Sequence, residues 1–410
     1  MKVVHLTTSS RGGAGIAALR LHHALRAEGV ESAFLARDLT IDFGGYTIED
    51  SFFNYRKPSA LRRLFDTIRI RLFPSEKDKI IKTYRDLEPQ LDCEIASLPF
   101  SNYKPENHPL VEEADIINLH WVGGILDYNS FFELPGKAVV WTLHDMNPFK
   151  GLFHYEADEE RNSEATLLER QLRELKAKAV MSIEQGAIVS PSEWLLKAAV
   201  KSGVFEHFKV KTTIANSLEV EVYNSTNRET ARAALQLEPH EKVLLFTAAQ
   251  LDNPRKGANL LMAALEHIEA PISLLILGKG SLNLTNKNVK AIPLGYMNDP
   301  AEIANIYAAS DLFVLPSLED NLPNTMLESM AAGTPVLAFA TGGMKERIRT
   351  GFNGILAEEK TPLALQRCIE EFVENTYQFD REAIKTFAEN HFNGKRQAES
   401  YLEVYEQLLN

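Results

Sequence analysis

The sequence has few cysteines, no long apolar run and no excess of basic charge. Cys93 and Cys368 are its two cysteines, too few for a disulfide framework or a cysteine-based zinc site, and so few thiols are typical of a reducing compartment. With 44 basic against 56 acidic side chains the net charge is −12, which argues against a dedicated nucleic-acid-binding protein. No apolar run approaches the ~18 residues of a membrane span.

The N-terminal residues also lack a targeting signal. Only the short segment Val3–Thr7 follows the first lysine, so the apolar region of a signal peptide is missing. The sequence therefore predicts a cytoplasmic protein. A length of 410 residues with 45% hydrophobic side chains is typical of a globular chain of two or three domains, at ~150 residues per domain.

Short apolar runs alternate with helical patterns along most of the chain, which predicts parallel sheets covered by helices. The pattern starts at Val3–Thr7 and restarts around residue 218, after which Glu221–Asn227 is polar and predicts a linker. We therefore expect two doubly wound α/β domains, at 1–217 and 218–392, and a helix at 393–410. In such folds ligands bind at the carboxyl ends of the strands, so two facing domains predict a cleft lined by loops that follow strands.

Residues 51–110 break the alternation and indicate an insertion in the first domain. Within it, residues 60–73 place leucine, isoleucine and phenylalanine at helical spacing beside four arginines. A basic amphipathic helix of this kind either packs its apolar stripe on the domain or lies on an anionic membrane. Both interpretations stay open, and they are compatible.

The first candidate site is a glycine-rich segment directly after the first strand. Gly12, Gly13 and Gly15 predict a turn, followed by a helix from Ile16 whose N-terminus would present free N–H groups to an anion. The spacing is neither the G-x-G-x-x-G of dinucleotide-binding folds nor the P-loop pattern. The alternative is a strand-to-helix turn that simply requires glycine.

Histidines at strand ends form the second candidate site. His144 and Asp145 follow a predicted strand that ends at Leu143, and His120 has the same placement after another strand. A histidine there can donate a hydrogen bond to a substrate oxygen, although a lone histidine is more often structural. No histidine spacing predicts a metal site.

A basic pair forms the third candidate site. Arg255 and Lys256 precede the helix predicted at Gly257–Glu269, where positive charge opposes the helix dipole. The pair is explained if an anion such as a diphosphate lies between the two side chains, and otherwise it is a solvated pair.

The fourth candidate site carries the most specific pattern, between the strands predicted at Leu312–Leu315 and Pro335–Phe339. A polar loop leads into a helix that starts near Pro323, with Asp320 in the loop and Glu328 inside the helix. Carboxylates in these places can accept hydrogen bonds from sugar or ribose hydroxyls, while the loop amides face the same ligand.

This last segment resembles the C-terminal signature of glycosyltransferase family 4, a retaining family with GT-B architecture. The signature is P-S, an acidic residue, seven residues, a Glu and A-M-A-x-G-x-P-V; Pro316-Ser317, Asp320, Glu328 and residues 330–336 fit it, with Ser329 in place of the first Ala. GGAG, the strand-end HD, SPSEW at 190–194, RKG and ATGGMKE at 340–346 follow the family's order. The resemblance thus covers almost the whole chain and implies two facing Rossmann-like domains, an interdomain cleft and a C-terminal helix that crosses back.

The resemblance also implies roles for individual residues. Glu328 would bind the donor ribose, Asp320 and His144 would lie at the transferred sugar, and Lys256 with Arg255 would hold the diphosphate. Further donor contacts would come from the first-domain glycine segment, the signature loop and the predicted nucleobase pocket: Gly13, Ala14, Gly15, Asn321, Leu322, Pro323, Asn324, Thr325, Tyr296 and Met297.

Two positions depart from the family pattern. The first acidic residue is usually Glu, and here it is Asp320 preceded by Glu319, so either carboxylate could contact the sugar. Gln250 stands where the family commonly has an Arg, and Arg255 is the candidate replacement for that charge.

The implied function is the transfer of a sugar from a nucleotide-sugar, with retention of configuration and without a metal ion. The expected donor is a UDP-sugar, which is common in the family, and GDP-mannose is the main alternative. The acceptor would be a glycan or a lipid-linked molecule of surface polysaccharide synthesis, and neither a cofactor nor nucleic acid is expected. The alternatives are a GT-B epimerase acting on a UDP-sugar and a catalytically silent GT-B protein that binds a sugar or a partner transferase. Peripheral membrane contact through residues 60–73 is compatible with the leading hypothesis.

Overall fold

The computed structural model describes residues 1–38, 69 and 71–410. These residues form two sheets in succession along the chain, each with parallel strands and covering helices. The prediction of two doubly wound α/β units is confirmed.

The first sheet lies in the N-terminal half, and within the described residues it has six parallel strands in the order β2-β1-β3-β4-β5-β6. Its strands run in nearly continuous apolar sequence, because helices cover both faces. They are β1 Lys2–Ser9, β2 Glu31–Asp38, β3 Ile116–Leu119, β4 Ala138–Thr142, β5 Gln185–Ser190 and β6 Val210–Thr213.

The second sheet also has six parallel strands among the described residues, in the order β12-β11-β10-β7-β8-β9. Leu244 packs in the core on one face and Leu245 in the core on the other, as alternating side chains of a covered strand must. The strands are β7 Val243–Gln250, β8 Ile272–Lys279, β9 Val289–Gly295, β10 Leu312–Leu315, β11 Val336–Phe339 and β12 Gly354–Ala357.

Helices connect these strands and cover the sheets. In the N-terminal half they are α1 Gly12–Ala27, α2 Glu76–Leu87, α3 Pro109–Glu113, α4 Tyr128–Phe131, α5 Glu156–Arg161, α6 Thr166–Val180 and α7 Glu193–Lys201. In the C-terminal half they are α8 Val220–Asn224, α9 Arg228–Ala234, α10 Ala258–Leu265, α11 Pro300–Ala309, α12 Asn324–Ala331, α13 Met344–Arg347, α14 Pro362–Val373, α15 Arg381–Phe392 and α16 Gly394–Leu409.

The last helix, α16, packs against the first sheet rather than the second. Tyr401 and Tyr405 are fully buried there, and their hydroxyls bond to Thr142 and Asn118 of the first sheet. The chain thus crosses between the two halves twice, once just before α8 and once between α15 and α16. The two crossings are adjacent, because the backbone amide of Leu218 donates a hydrogen bond to the carbonyl oxygen of Phe392.

Two local predictions differ from the structure. The sequence predicts a turn at Gly12–Gly15, but α1 begins at Gly12, because Gly15 has no side chain and packs directly on the backbone of Ser9 and Ser10. The sequence also predicts a linker at Glu221–Asn227, but α8 covers most of it, since Val220 and Tyr223 lie on one side of a helix and enter the second core.

The predicted basic amphipathic helix at 60–73 lies outside the described residues except at its end. There Leu72 and Phe73 are 63% and 77% exposed. No helix in the described part of the chain is both long enough and apolar enough to cross a membrane.

Candidate active site

Both sheets have a topological switch point, and the predicted site residues lie beside them. In the second sheet the strand order reverses between β7 and β10, and in the first between β1 and β3. Loops after such strands separate and leave a crevice at the carboxyl ends, which is where doubly wound folds bind ligands. The glycine segment and the His120 loop follow β1 and β3, the basic pair and the signature loop follow β7 and β10, and the His144 loop follows β4, which lies next to β3.

The basic pair meets the signature loop at the second switch point. Lys256 Nζ lies 2.6 Å from Asp320 Oδ2, and an Arg255 guanidinium nitrogen lies 3.3 Å from the same oxygen. Gly257 allows this approach: it has a φ of +71°, and a Cβ there would lie 2.0 Å from the carbonyl oxygen of Pro316. Burial opposes the ionisation of Asp320, but Lys256 and Arg255 outweigh it and hold the pKa of its carboxyl below the usual value.

Arg255 also faces the first domain. Its guanidinium pairs with Glu94 and stacks on the ring of Tyr155, 4.2 Å from the ring centroid. Burial disfavours its charge, but Tyr155, Asp320 and Glu94 raise the pKa of Arg255 above its ordinary value. Arg255 therefore provides a positive charge close to the position where Gln250 replaces the family's usual Arg. Groups from both domains hold its guanidinium in place.

The two consecutive carboxylates of the signature loop have different environments. Glu319 accepts hydrogen bonds from the backbone amides of Glu156 and Ala157, at 3.1 and 3.3 Å, and so caps the first turn of α5 in the other domain. Asp320 faces the basic pair instead. Of the two candidates, Asp320 is the carboxylate placed beside Arg255 and Lys256.

Glu328 lies in the first helical turns of α12 and contacts the first domain. Its side chain is 12% exposed, and Oε1 accepts a hydrogen bond of 3.2 Å from Arg20 on α1, which is 5% exposed. Arg20 also pairs with Glu219, at 3.0 Å. Burial disfavours the charge on Arg20, but Glu219 and Glu328 raise the pKa of its guanidinium. The carboxylate predicted to bind ribose is therefore oriented by an arginine from the opposite domain.

Two asparagines of the signature loop bridge the domains. The Asn321 side chain accepts from the hydroxyl of Ser192 and points its amide at the carbonyl oxygens of Leu143 and His144. The Asn324 amide donates to the carbonyl oxygen of Gly13, at 3.0 Å. These bonds bring the signature loop against three loops of the first domain, including the glycine segment and the HD motif.

His144 belongs to a chain of three imidazoles. Its Nε2 lies 3.0 Å from Nδ1 of His120, whose Nε2 lies 2.9 Å from Nδ1 of His5. Burial lowers the pKa of His144 to about 4 and that of His5 to about 3, and it lowers the pKa of His120 well below its ordinary value. All three rings are therefore neutral near pH 7.

The adjacent Asp145 does not act on His144 through a side-chain hydrogen bond. Its oxygens accept from His154, at 2.6 Å, from the indole of Trp121, at 2.9 Å, and from the amide of Asn147, at 2.9 Å. Burial opposes its ionisation, but His154 and these donors hold the pKa of Asp145 below its usual value. His144 and Asp145 of the HD motif therefore have separate partners, and the hydrogen bonds of Asp145 fix the conformation of the loop.

The remaining predicted donor residues spread around this centre. Tyr296 is half-exposed after β9, with Lys279 over its ring, and Met297 follows it at the edge of the core. Leu322 is buried in the core, so only its backbone can face a ligand. Pro323 has no amide hydrogen and therefore cannot donate as predicted, but it starts α12, whose first turn holds Asn324 and Thr325.

Several residues at this site were not predicted from the sequence. Arg20, Glu94, Tyr155 and His5 lie outside the motifs, and their contacts with the site residues are made by the fold. A helical arginine among apolar residues in α1 is the one signal that could have indicated Arg20. Among the described residues, no group of three or more His, Cys, Asp or Glu side chains is placed to hold a metal ion.

Comparisons with known proteins agree with this geometry. Residues 241–375 match the family described as glycosyl transferases group 1. A D-inositol 3-phosphate glycosyltransferase from Segniliparus rotundus is 28% identical over 159 residues. That alignment covers 35% of this chain and 35% of the relative, so the similarity spans about a third of each sequence.

Solved structures share the fold over the full length. HepE from Anabaena, solved in complex with UDP and glucose, has a TM-score of 0.64 at 17% identity and covers 99% of both chains. WaaG, a glycosyltransferase involved in lipopolysaccharide biosynthesis, has a TM-score of 0.54 at 15% identity, covering 97% of this chain and 95% of WaaG. The expected GT-B architecture is confirmed, and residues 241–375 are similar to the group 1 glycosyl transferases.

Proposed function

We propose that this protein is a retaining, metal-independent glycosyltransferase. It transfers a sugar from a UDP-sugar to a glycan or lipid-linked acceptor in surface polysaccharide synthesis. The observation that carries the proposal is the pairing of Arg255 and Lys256 with Asp320 at the switch point of the second sheet. Two cations held against one carboxylate at a switch point form a place where a diphosphate can replace the carboxylate as their partner.

Transfer from a nucleotide-sugar breaks the bond between the sugar and the diphosphate, so negative charge develops on the leaving phosphate. Preorganised cations lower the energy of that charge without reorganisation at the moment of reaction. Arg255 is held by Glu94 and Tyr155 of the first domain and by Asp320 of the second, and Lys256 is held by Asp320. The first turn of α12, which follows the signature loop, presents backbone N–H groups. These groups supply the positive potential that other transferases obtain from a metal ion.

The other carboxylate supports the nucleoside end of the same substrate. Glu328 accepts a hydrogen bond from Arg20 at Oε1, and a carboxylate oriented in this way can also accept hydrogen bonds from ribose hydroxyls. Along the chain, Asp320 and Glu328 are separated by the end of the signature loop and the first residues of α12. The proposal assigns the ribose of the donor to Glu328 and its diphosphate to the basic pair.

UDP as the nucleotide is supported by the HepE complex, in which that protein holds UDP and glucose. A role in surface polysaccharide is supported by WaaG, which acts in lipopolysaccharide biosynthesis. Retention of configuration is what the resemblance to family 4 implies. These points define the donor and acceptor classes to be tested first.

The test is a thermal-shift panel in EDTA with UDP, GDP, ADP and NAD. A ligand at 100-fold over its dissociation constant adds about 2.7 kcal/mol to the free energy of unfolding. We expect stabilisation by UDP that is weaker in Glu328→Ala and unchanged in Lys287→Ala, an exposed lysine of the same domain. A response to NAD alone contradicts the proposal, and no response to any nucleotide favours a silent GT-B protein.

Turnover completes the test. UDP-glucose and UDP-galactose are incubated with the protein in EDTA, with and without a lipid-linked glycan acceptor, and released UDP is measured. Acceptor-dependent UDP release, with the anomeric proton of the product retaining the donor configuration, is the expected result. Interconversion of the two UDP-sugars without UDP release would instead identify an epimerase.

A further inference from the structure

The chain His5–His120–His144 links the buried core of the first domain to the cleft. His5 and His120 are almost fully buried, and His144 is partly exposed at the carboxyl end of β4. Each of the two hydrogen bonds joins Nδ1 of one ring to Nε2 of the next, at 2.9 and 3.0 Å. Nε2 of His144 is therefore committed to His120, and Nδ1 is the nitrogen left for a bound molecule.

A chain of neutral imidazoles has only two self-consistent arrangements of protons, because each ring carries a single N–H. In the first, His5 donates to His120 and His120 donates to His144, so His144 carries its proton on Nδ1. In the second every bond is reversed, and His144 presents a bare Nδ1 to the cleft. Burial lowers the pKa of each ring, so the rings stay neutral and only these two arrangements are available to them.

The buried end of the chain favours the first arrangement. Nε2 of His5 has no hydrogen-bond partner among the described residues, and the nearby His22 is bonded to Ser32. In the first arrangement this nitrogen is a bare lone pair, whereas in the second it is a buried N–H. Buried N–H groups without an acceptor are rarer than buried acceptors without a donor.

The cleft end also favours the first arrangement. A diphosphate offers only acceptor oxygens, so it repels a bare imidazole nitrogen and attracts an N–H. Asp145 does not orient His144 in place of the imidazole chain, because its oxygens are bonded to His154, Trp121 and Asn147.

We propose that His5 and His120 are positioning residues that hold His144 as its Nδ1–H tautomer. This rests on the proposed function: Nδ1–H then donates to an oxygen of the donor diphosphate or of the transferred sugar. The two residues touch no substrate themselves. Their part is to set which nitrogen of His144 carries the proton.

The tautomer can be measured in the free protein by long-range proton–nitrogen spectra after labelling histidine with nitrogen-15. At pH 8 the expected result is a proton on Nδ1 of His144. Two other histidines provide internal references: His391 donates from Nδ1 to the carbonyl of Phe387, and His108 accepts at Nδ1 from the amide of Leu110. A proton on Nε2 of His144, matching His108, overturns the proposal without any variant.

A matched pair of variants tests the part of His120. In His120→Asn the side-chain amide nitrogen takes the place of Nδ1 and still donates to His144, whereas in His120→Gln it takes the place of Nε2 and cannot. We expect the Nδ1–H tautomer to persist in His120→Asn and to be lost in His120→Gln. The same tautomer mixture in both variants contradicts the proposal.

Kinetics then separate positioning from simple packing. We expect kcat of His120→Gln to fall about tenfold to a hundredfold, the effect of one hydrogen bond to a charged group, with the donor KM little changed. His120→Asn should recover most of this loss. Equal losses in both variants would assign His120 a packing role only.

The spectra are recorded without a nucleotide-sugar, so the tautomer of His144 and the proposed function are tested independently. If the wild-type protein transfers sugar while His144 carries its proton on Nε2, only this inference is wrong. If His144 carries its proton on Nδ1 but no nucleotide-sugar binds or reacts, the proposed function is wrong and the histidine chain needs another ligand.

Discussion

The two halves of this protein contribute to the site in different ways. The C-terminal half brings Arg255, Lys256, Asp320 and Glu328 from two neighbouring loops at one switch point. The N-terminal half brings single residues from distant segments, such as Arg20 on α1 and Glu94 in the insertion. The first kind of contribution forms a motif, and the second is visible only once the chain has folded.

The difference teaches where substrate chemistry and domain closure are encoded. The C-terminal residues provide the charges that a donor requires, and the N-terminal residues hold those charges in place. Glu319 and Glu346 act in the opposite direction, since each reaches from the second domain to cap a helix start in the first, at α5 and α7. Predictions that separate charge provision from charge positioning therefore test the comparison directly.

The largest expected effect comes from removing the N-terminal arginine. Arg20→Ala leaves Glu328 and Glu219 without their shared cation in a largely buried position, and breaking a buried pair in this way costs about 3–5 kcal/mol. The measurement is the free energy of unfolding in urea. Arg26→Ala, an exposed arginine on the same helix, is the control and should change little.

If Arg20→Ala unfolds no more easily than Arg26→Ala, the two domains are not joined through Glu328 and the comparison fails. A double-mutant cycle with Glu328→Gln then locates the energy. We expect the double variant to be more stable than the sum of the single effects predicts, because Glu328→Gln removes the stranded charge.

Loss of the C-terminal cation should affect activity more than stability. We expect Lys256→Ala to lower kcat/KM for the donor by about a hundredfold to a thousandfold, the loss seen when one preorganised stabilising group is removed from a reaction site. Lys287→Ala should retain full activity. Equal activity in the two variants would show that the basic pair does not hold the leaving diphosphate.

Two glycines of α1 sharpen the comparison within one helical turn. A Cβ at Gly15 would lie 2.3 Å from the carbonyl oxygen of Ser9, so Gly15→Ala should destabilise the protein by about 1–3 kcal/mol. A Cβ at Gly13 meets no atom within 4 Å, so Gly13→Ala should leave the melting temperature unchanged or raise it. Thermal unfolding checks both.

Only Gly13→Ala should weaken binding without weakening the fold. If the donor diphosphate approaches the glycine segment, the donor KM rises in Gly13→Ala while its stability is kept. An unchanged KM would place the diphosphate away from the first domain and leave its binding to the second domain alone.

The smallest expected effect, counted per buried histidine, is the change in the stability of the first domain with pH. Burial lowers the pKa of His5 to about 3, of His22 to about 2 and of His144 to about 4, from about 6.5 in the unfolded chain. Unfolding therefore takes up protons below pH 6.5. The stabilisation is complete above that pH and falls as the pH drops, by at most about 1.4 kcal/mol per unit for each ring.

The tryptophans make this measurable. Trp121, Trp141 and Trp194 are the three tryptophans of the chain, and all lie in the first domain. We expect the urea midpoint measured by tryptophan fluorescence to fall between pH 7 and pH 5 more steeply than the midpoint measured by far-ultraviolet circular dichroism. Parallel shifts of both midpoints would contradict a domain-specific effect.

Much of the fold follows from the sequence, because strands covered on both faces are apolar runs and the helices between them have their own period. The signature loop was also predictable, since its residues meet over a short stretch of chain. The sequence offers Arg255 and Lys256 as a candidate anion site, but it does not indicate that Glu94 pairs with Arg255, because no local pattern links residues separated by 161 positions.

The choice between Glu319 and Asp320 shows the same limit. Consecutive residues have equal claims in a sequence, and only the position of α5 in the other domain commits Glu319 to its backbone amides. His120 was noted for its place at a strand end, but its bonds to His5 and His144 depend on the order of β1, β3 and β4 in the sheet.

The position of α16 has a consequence for the order of synthesis. Tyr401, Tyr405 and Leu408 complete a core whose other side chains include Val3 and Val140 of the first sheet and Leu21 of α1. The ribosome makes these residues only after the whole second domain. The domain that is synthesised first therefore lacks part of its own core until the last helix is made, and the apolar side chains that α16 covers wait for their partners during synthesis of the second domain.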